Sequence, residues 1–256
     1  PFIRLFFFQE GSIVNKYIAY NLQKRYNTIV CLGPDGSKPY GEFKKKHEFL
    51  SMIKDTLADY RLLLIKRLYL PKILLSRYYR YGSSKIIDEV WLQNINLFND
   101  TLNRTKAKLR ELPPFTRMNI SIIKNVFYFD GSNLSDCGRR ILYINQPIQS
   151  NDLLNRELQI LDALSTRFTE HQIIIKLHPH TPDKTILAYR ERNYLVLISD
   201  NIPAELYISC LSDSIIISGW SAALLFQNDS CAYFYTYNLM KEVKDKILDQ
   251  IKLAEF

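Results

Sequence analysis

Ile141-Leu142-Tyr143-Ile144-Asn145 and Gln172-Ile173-Ile174-Ile175-Lys176-Leu177 are short apolar runs on either side of residues 152–168, where apolar residues recur at helical spacing. Strand, helix, strand is the reading, and the second strand is apolar enough to be buried on both faces. The alternation continues toward the carboxyl terminus. His178-Pro179-His180-Thr181-Pro182 ends the second strand, a strand follows over 195–199, and a short helix opens at Pro203, a residue favoured at the first helical position. Another strand over 214–217 ends in Ser218-Gly219-Trp220-Ser221, with a helix from Ala222, a strand over 231–235 and a helix over 239–253. Strands alternating with helices over more than a hundred residues imply α/β architecture with a doubly wound parallel sheet. Ligands in such sheets bind outside the carboxyl ends of the strands, which singles out the loops 178–182 and 218–221.

Toward the amino terminus, the apolar run 3–8 is bounded by Gln9-Glu10-Gly11-Ser12, a helix is expected over 13–26, and a second apolar run covers 28–32. That is a further βαβ unit. Gly33-Pro34-Asp35-Gly36 ends it with turn chemistry, and a polar, basic connection spans 38–46. A strand is expected over 86–92. Pro113-Pro114 interrupts the pattern, and Asp130-Gly131-Ser132 through Gly138 reads as a linker. The expected domains are therefore 1–138 and 139–256.

The chain has 256 residues, of which 47% are hydrophobic and 23% charged, enough to bury a core and to exclude disorder or a low-complexity fibre. No apolar run approaches the ~18 to 20 residues that span a bilayer. Cys31, Cys137, Cys210 and Cys231 are scattered without CxxC or metal-ligand spacing and read as reduced core thiols of a cytosolic protein. The chain opens at Pro1 directly into an apolar run, which suggests an amino-terminal domain lacking part of its natural beginning.

The net charge of +8 is concentrated. Between Tyr60 and Lys85 stand Arg61, Lys66, Arg67, Lys72, Arg77, Arg80 and Lys85, without one acid, among leucines and tyrosines. Three readings fit a basic, aromatic, leucine-rich helical segment over 60–85. It is a solvated helix pair broken at Pro71, a peripheral contact with an anionic membrane surface, or a groove for a polyanionic acceptor. No nucleic-acid-binding motif accompanies it.

Three places carry chemistry. His178 follows a buried strand with Pro179 behind it and Lys176 beside it, as suits a donor to phosphate; a loop histidine bonded to nearby backbone has the same pattern. Ser218, Gly219 and Ser221, with the backbone N–H of Ala222, form an anion site at a helix start, or a simple helix cap. Glu10, before Gly11 at a strand tip, suits a general base that deprotonates a hydroxyl, with Asp130 as competitor. GxGxxG, GxxxxGK[ST] and Asp-x-Asp are absent from the sequence, so dinucleotide and P-loop chemistry are not favoured and no metal site is expected.

An acidic-Gly motif, then His-Pro, then paired serines resembles the bacterial sialyltransferases, most of all the polysialyltransferase-like capsule and lipooligosaccharide branch. Asp88-Glu89-Val90-Trp91-Leu92-Gln93-Asn94 and Ile141 through Pro147 add to the likeness. The resemblance implies an inverting, metal-independent GT-B glycosyltransferase, with two Rossmann-like domains facing a central cleft and CMP-sialic acid as donor. Glu10 would be the base on a glycan or glycolipid acceptor, His178 would hold the CMP phosphate, and Ser218 and Ser221 would stabilise it. No cofactor is implied, and the location would be cytoplasmic, at the inner face of the plasma membrane. Two departures stand out: Gln9 occupies the place of a first acid, and Gly219-Trp220 separate serines that are usually adjacent. A CMP-Kdo transferase, a CDP-glycerol glycerophosphotransferase and a non-catalytic anionic-glycan or membrane-binding domain are the alternatives.

Overall fold

The computed structural model describes residues 3–8, 13–34, 39, 41–43, 57, 61, 81–98, 106–113, 117–131, 134, 139–148, 150–192, 195–198, 201–226, 228–241, 243 and 251–253. It is an α/β fold built on parallel sheets, in two compact units: Pro1–Pro113 with Gln250–Phe256, and Pro114–Asp249.

In the first unit, β1 (Arg4–Phe7) leads through helix α1 (Ile13–Tyr26) to β2 (Ile29–Leu32), the expected βαβ unit. The strands β3 (Gly41–Phe43), β4 (Glu89–Leu92) and β5 (Lys108–Glu111) follow. The parallel sheet runs β1-β2-β4-β5. Its order follows the chain without reversal, so among the described residues this sheet is not doubly wound. The strand expected over 86–92 is shorter: Ile86 and Ile87 are buried, but they lie in a turn in which the Ile87 N–H meets the Ser84 carbonyl.

Glu89 locks the sheet. Its carboxylate is almost wholly buried and accepts from Arg110 Nε and Nη2, both at 3.1 Å, and from Trp91 Nε1 at 3.1 Å; Arg4 Nε lies 3.5 Å away. Burial pushes its pKa up, but the hydrogen bonds from Arg110, Trp91 and Cys31 prevail and hold the carboxyl below its ordinary value. The same burial, with Glu89 beside it, pushes the Cys31 thiol up to about 11, an inert core cysteine. The stretch Asp88 to Asn94 thus holds structure together: Asp88 Oδ2 caps the Val30 N–H at 2.8 Å and takes Gln23 Nε2 at 3.0 Å.

The second unit opens with helix α2 (Arg117–Val126), then β6 (Arg140–Ile144), α3 (Asn151–Arg167), β7 (Gln172–Lys176), α4 (Asp183–Arg190), β8 (Leu195–Ile198), α5 (Ala204–Ile208), β9 (Ser214–Ser218), a 3-10 turn (Ala222–Leu225), β10 (Cys231–Tyr235) and α6 (Tyr237–Met240). All five strands are parallel, in the order β10-β9-β6-β7-β8. Chain order moves outward from β6 through β7 to β8, then returns to the other side of β6 for β9 and β10. This is the doubly wound arrangement, with its switch point between β6 and β9. Every residue of β6 is buried, while the edge strand β10 alternates between half-buried and exposed. Leu142, Ile144, Ile174, Ile208, Leu211, Ile216 and Leu224 pack as one cluster, each large side chain contributing about 1.5–3 kcal/mol by leaving water.

Two expectations are corrected here. The division falls at Pro113-Pro114, not at 138/139. The expected linker is packed at its start instead: just ahead of it, the Phe129 ring meets Tyr207 edge-on with centroids 4.8 Å apart. Gly131 adopts φ +24° so close to Cys210 that a Cβ would lie 2.5 Å from its Sγ. The helix expected over 239–253 is also overturned. α6 ends at Met240, and β11 (Ile251–Leu253) pairs antiparallel with β3, because the chain returns to the first unit.

Candidate active site

Three loops leave the carboxyl edge of the second sheet side by side. Ile144, Lys176 and Ser218 are level in the registers of β6 with β7 and with β9. With strands ~4.8 Å apart, the His178 and Ser218 loops stand on either side of Asn145, about 10 Å from each other. Both expected loops therefore reach the edge that the doubly wound rule selects, one of them at the switch point.

His178 is half-buried. Its carbonyl accepts from the Thr181 N–H at 2.9 Å and the Thr181 hydroxyl at 2.7 Å, and its Nδ1 accepts from the His180 N–H at 3.1 Å. A backbone donor on Nδ1 fixes the tautomer and leaves the proton on Nε2. Burial, then the positive charges of His180 and Lys176, hold the imidazole below its ordinary pKa. At pH 7 the ring is thus a neutral donor through Nε2–H. Pro179 and His180 are exposed. Lys176 is buried: its Nζ donates to the Leu177 carbonyl at 3.1 Å and lies 5.8 Å from the Tyr207 ring centroid. It faces the inside of the protein, and its positive charge acts on His178.

The two serines differ. Ser218 is fully buried, and its hydroxyl donates to the Ile144 carbonyl at 2.8 Å and accepts the Ser221 N–H at 3.2 Å. It shapes the turn. Ser221 is half-buried, and its Oγ accepts the Ala223 N–H at 3.2 Å at the start of the 3-10 turn, leaving its own O–H to donate. Gly219 packs against Met240, whose Sδ would lie 3.3 Å from a Cβ there.

A buried polar cluster behind these loops was not anticipated from the sequence. Glu157 of α3 has no exposed surface; its Oε1 accepts the Tyr143 hydroxyl and its Oε2 the Tyr189 hydroxyl at 2.6 Å. Asn145 Nδ2 donates to Tyr189 at 2.7 Å, and the Thr181 hydroxyl lies 2.6 Å from Asn145 Oδ1. Burial pushes the Glu157 carboxyl up to about 7, against the lowering effect of hydrogen bonds from Tyr143, Tyr189 and Asn145. A signal existed: Glu157 stands four residues from both Leu153 and Leu161, on the buried stripe of its helix.

A family model described as alpha-2,8-polysialyltransferase matches residues 3–230. The chain belongs to the alpha-2,8-polysialyltransferase family. The likeness read from Glu10-Gly11, His178-Pro179 and the separated serines holds at the level of the family, and the match covers all three motifs. Membership makes the chain one of a family of glycosyltransferases. No curated protein matches it. Among solved structures, the E. coli ADP-heptose lps heptosyltransferase II aligns over 98% of this chain and 97% of that one, at 13% identity and a TM-score of 0.32.

The remaining site residues of this polysialyltransferase-family chain are unevenly placed. Glu10 lies outside the described residues, as do Lys66, Arg67, Lys72, Arg77 and Arg80. Arg61 and Lys85 are described and exposed. Asp130, the competing carboxylate, is an exposed residue of the second unit. Gln23, Asn27, Thr28, Ile29, Asp88, Glu89 and Lys108 line a cleft of the first unit. It lies at the amino ends of β2, β4 and β5, the edge opposite to the one that binds ligands in such sheets.

Proposed function

We propose that this chain is an inverting transferase that moves sialic acid from CMP-sialic acid to a glycan acceptor in bacterial surface polysaccharide synthesis. The observation that carries the reading is that the loops of His178 and of Ser218–Ser221 leave strands on either side of β6, on the carboxyl edge of a doubly wound sheet, within a polysialyltransferase-family chain. An α2,8 linkage joins C2 of one sialic acid to O8 of another, so the acceptor would end in sialic acid. In the step itself the acceptor hydroxyl oxygen bonds to C2 as the bond from C2 to the phosphate oxygen breaks, and CMP departs with that electron pair. Glu10 takes the hydroxyl proton. His178 Nε2–H and the Ser221 hydroxyl donate to the phosphate as its charge grows, in a reaction that needs no metal. A GT-B arrangement, with the donor in the second unit and the base in the first, belongs to the same reading.

Titration by calorimetry with CMP, CDP and buffer alone tests the donor class. Saturable CMP binding with CDP much weaker is expected; CDP binding without CMP binding points to glycerophosphate transfer and removes the sialyltransferase reading. Faster turnover of CMP-Kdo than of CMP-sialic acid would likewise overturn the choice of sugar.

The basic segment over 60–85 fits attachment to an anionic membrane on the cytoplasmic side. No helix among the described residues is long and apolar enough to cross a bilayer. Each basic residue near such a surface adds on the order of 1 kcal/mol, less where salt screens it. Co-sedimentation with anionic vesicles is expected at low salt, declining at high salt and with Arg77, Arg80 and Lys85 changed to Gln. Equal recovery on neutral vesicles, or release by acidic polysaccharide alone, would instead assign the segment to the acceptor.

A further inference from the structure

The Tyr143–Glu157–Tyr189 cluster is poorly explained by core filling. A carboxyl group in a fully buried position is unfavourable unless both oxygens are bonded, and apolar residues of similar volume are commonly neutral or stabilising replacements at such places. Here both oxygens are bonded by phenols from β6 and α4. Asn145 closes a ring with Glu157 and Tyr189, its Nδ2 lying 3.4 Å from Glu157 Oε1 and 2.7 Å from the Tyr189 hydroxyl. The bonds continue out of the ring, from Asn145 Oδ1 to the Thr181 hydroxyl at 2.6 Å and from that hydroxyl to the His178 carbonyl at 2.7 Å. They end on the candidate phosphate donor.

Asn145 is the hub. Its backbone N–H meets the Lys176 carbonyl at 3.0 Å, at the end of the strand that carries His178. The carbonyl just before it, that of Ile144, takes the Ser218 hydroxyl at 2.8 Å. The Ile144–Asn145 peptide at the switch point therefore connects both loops. A hydroxyl of Thr181 shared between Asn145 and His178 has one proton for two acceptors, so the register of the loop depends on how the buried groups hold Asn145.

We propose that Glu157 and Tyr189, acting through Asn145 and Thr181, are positioning residues that set the His178 loop level with the Ser221 loop for one phosphate. The proposal rests on the reading of His178 as a phosphate donor. None of the four touches the sugar or the phosphate; their effect is on where His178 Nε2 stands, and misplacement by about 1 Å is enough to lose up to ~100-fold in rate.

The test uses the full chain, CMP as probe, and Thr181→Val, Thr181→Ser and Tyr189→Phe. Thr181→Val and Tyr189→Phe are each expected to weaken CMP binding about tenfold and to lower kcat about tenfold, with the KM for acceptor within about twofold of the parent. Thr181→Ser, which keeps the hydroxyl, restores both. The double variant is no worse than either single one by more than about twofold, because one chain of bonds is cut twice. A role in stability alone lowers the melting temperature and leaves CMP affinity and kcat of the folded protein where they were; that result overturns the proposal. If Tyr189→Phe does not fold, Thr181→Val, on a half-buried loop, decides alone. His178→Ala runs beside them: unchanged CMP affinity there means the phosphate reading of the loop has failed, whereas loss there without loss in Thr181→Val and Tyr189→Phe means the positioning proposal alone has failed.

Discussion

His178→Ala is expected to slow sialyl transfer by roughly 10²- to 10³-fold and to weaken CMP binding as well. Removal of one positioned donor from a developing anion lowers kcat by that amount in enzymes where it has been isolated. The physical basis here is the fixed tautomer: the His180 N–H occupies Nδ1 at 3.1 Å, so the ring offers Nε2–H with no alternative to search. Because burial and the neighbouring positive charges keep the ring neutral at pH 7, the effect is that of a hydrogen bond and not of a full charge. His178→Gln, which keeps an N–H near the same place, is expected to recover part of the affinity. Calorimetry with CMP and single-turnover transfer rates check both effects together. An alanine variant that binds CMP like the parent would return His178 to the role of a loop residue held by its own backbone.

What was legible in the sequence followed from burial on both faces. β6, β7 and β9 are central strands whose apolar runs have no polar interruption, and each was bounded to within a residue or two. β5 is the opposite case. Lys108-Leu109-Arg110-Glu111 has three charged residues in four because it is an edge strand, and its pairing with β4 is set by Arg110 reaching Glu89, 21 residues away. The domain boundary was misread because Asp130-Gly131 has linker composition, while the close approach of Gly131 to Cys210 comes from folding. The positions of His178 and the serines were found from loop placement alone. That the Ser218 hydroxyl is occupied was not, since its partner, the Ile144 carbonyl, stands 74 residues earlier. Glu157 was hidden for the same reason: its phenolic partners lie 14 and 32 residues away on other elements. Periodicity reports what is local, and the polar chain behind the loops is made of non-local contacts, apart from the bond of Thr181 to the His178 carbonyl three residues back.

Glu10→Gln is expected to abolish turnover, by at least about 10³-fold, while CMP affinity stays within about twofold of the parent. The two halves of that expectation have one cause. A general base acts on the acceptor hydroxyl, and its removal takes away proton transfer in the transition state, a contribution of roughly 10²- to 10⁴-fold; it does nothing to a nucleotide bound by other groups. The amide keeps the size of the side chain and its place before Gly11, so loss of activity reports the lost basicity and not a change of size. The departure at Gln9 makes the experiment sharper, because no adjacent acid stands ready to substitute for Glu10. Asp130→Asn is the companion variant, since Asp130 also precedes a glycine. It belongs to the second unit, and Gly131 beside it is packed on Cys210, which suits a turn more than the approach of an acceptor. Transfer rates for the two variants, measured with saturating CMP-sialic acid and varied acceptor, separate the carboxylates. If Glu10→Gln keeps most of its activity and Asp130→Asn loses it, the base is Asp130; the opposite result places proton abstraction at Glu10, in the first unit.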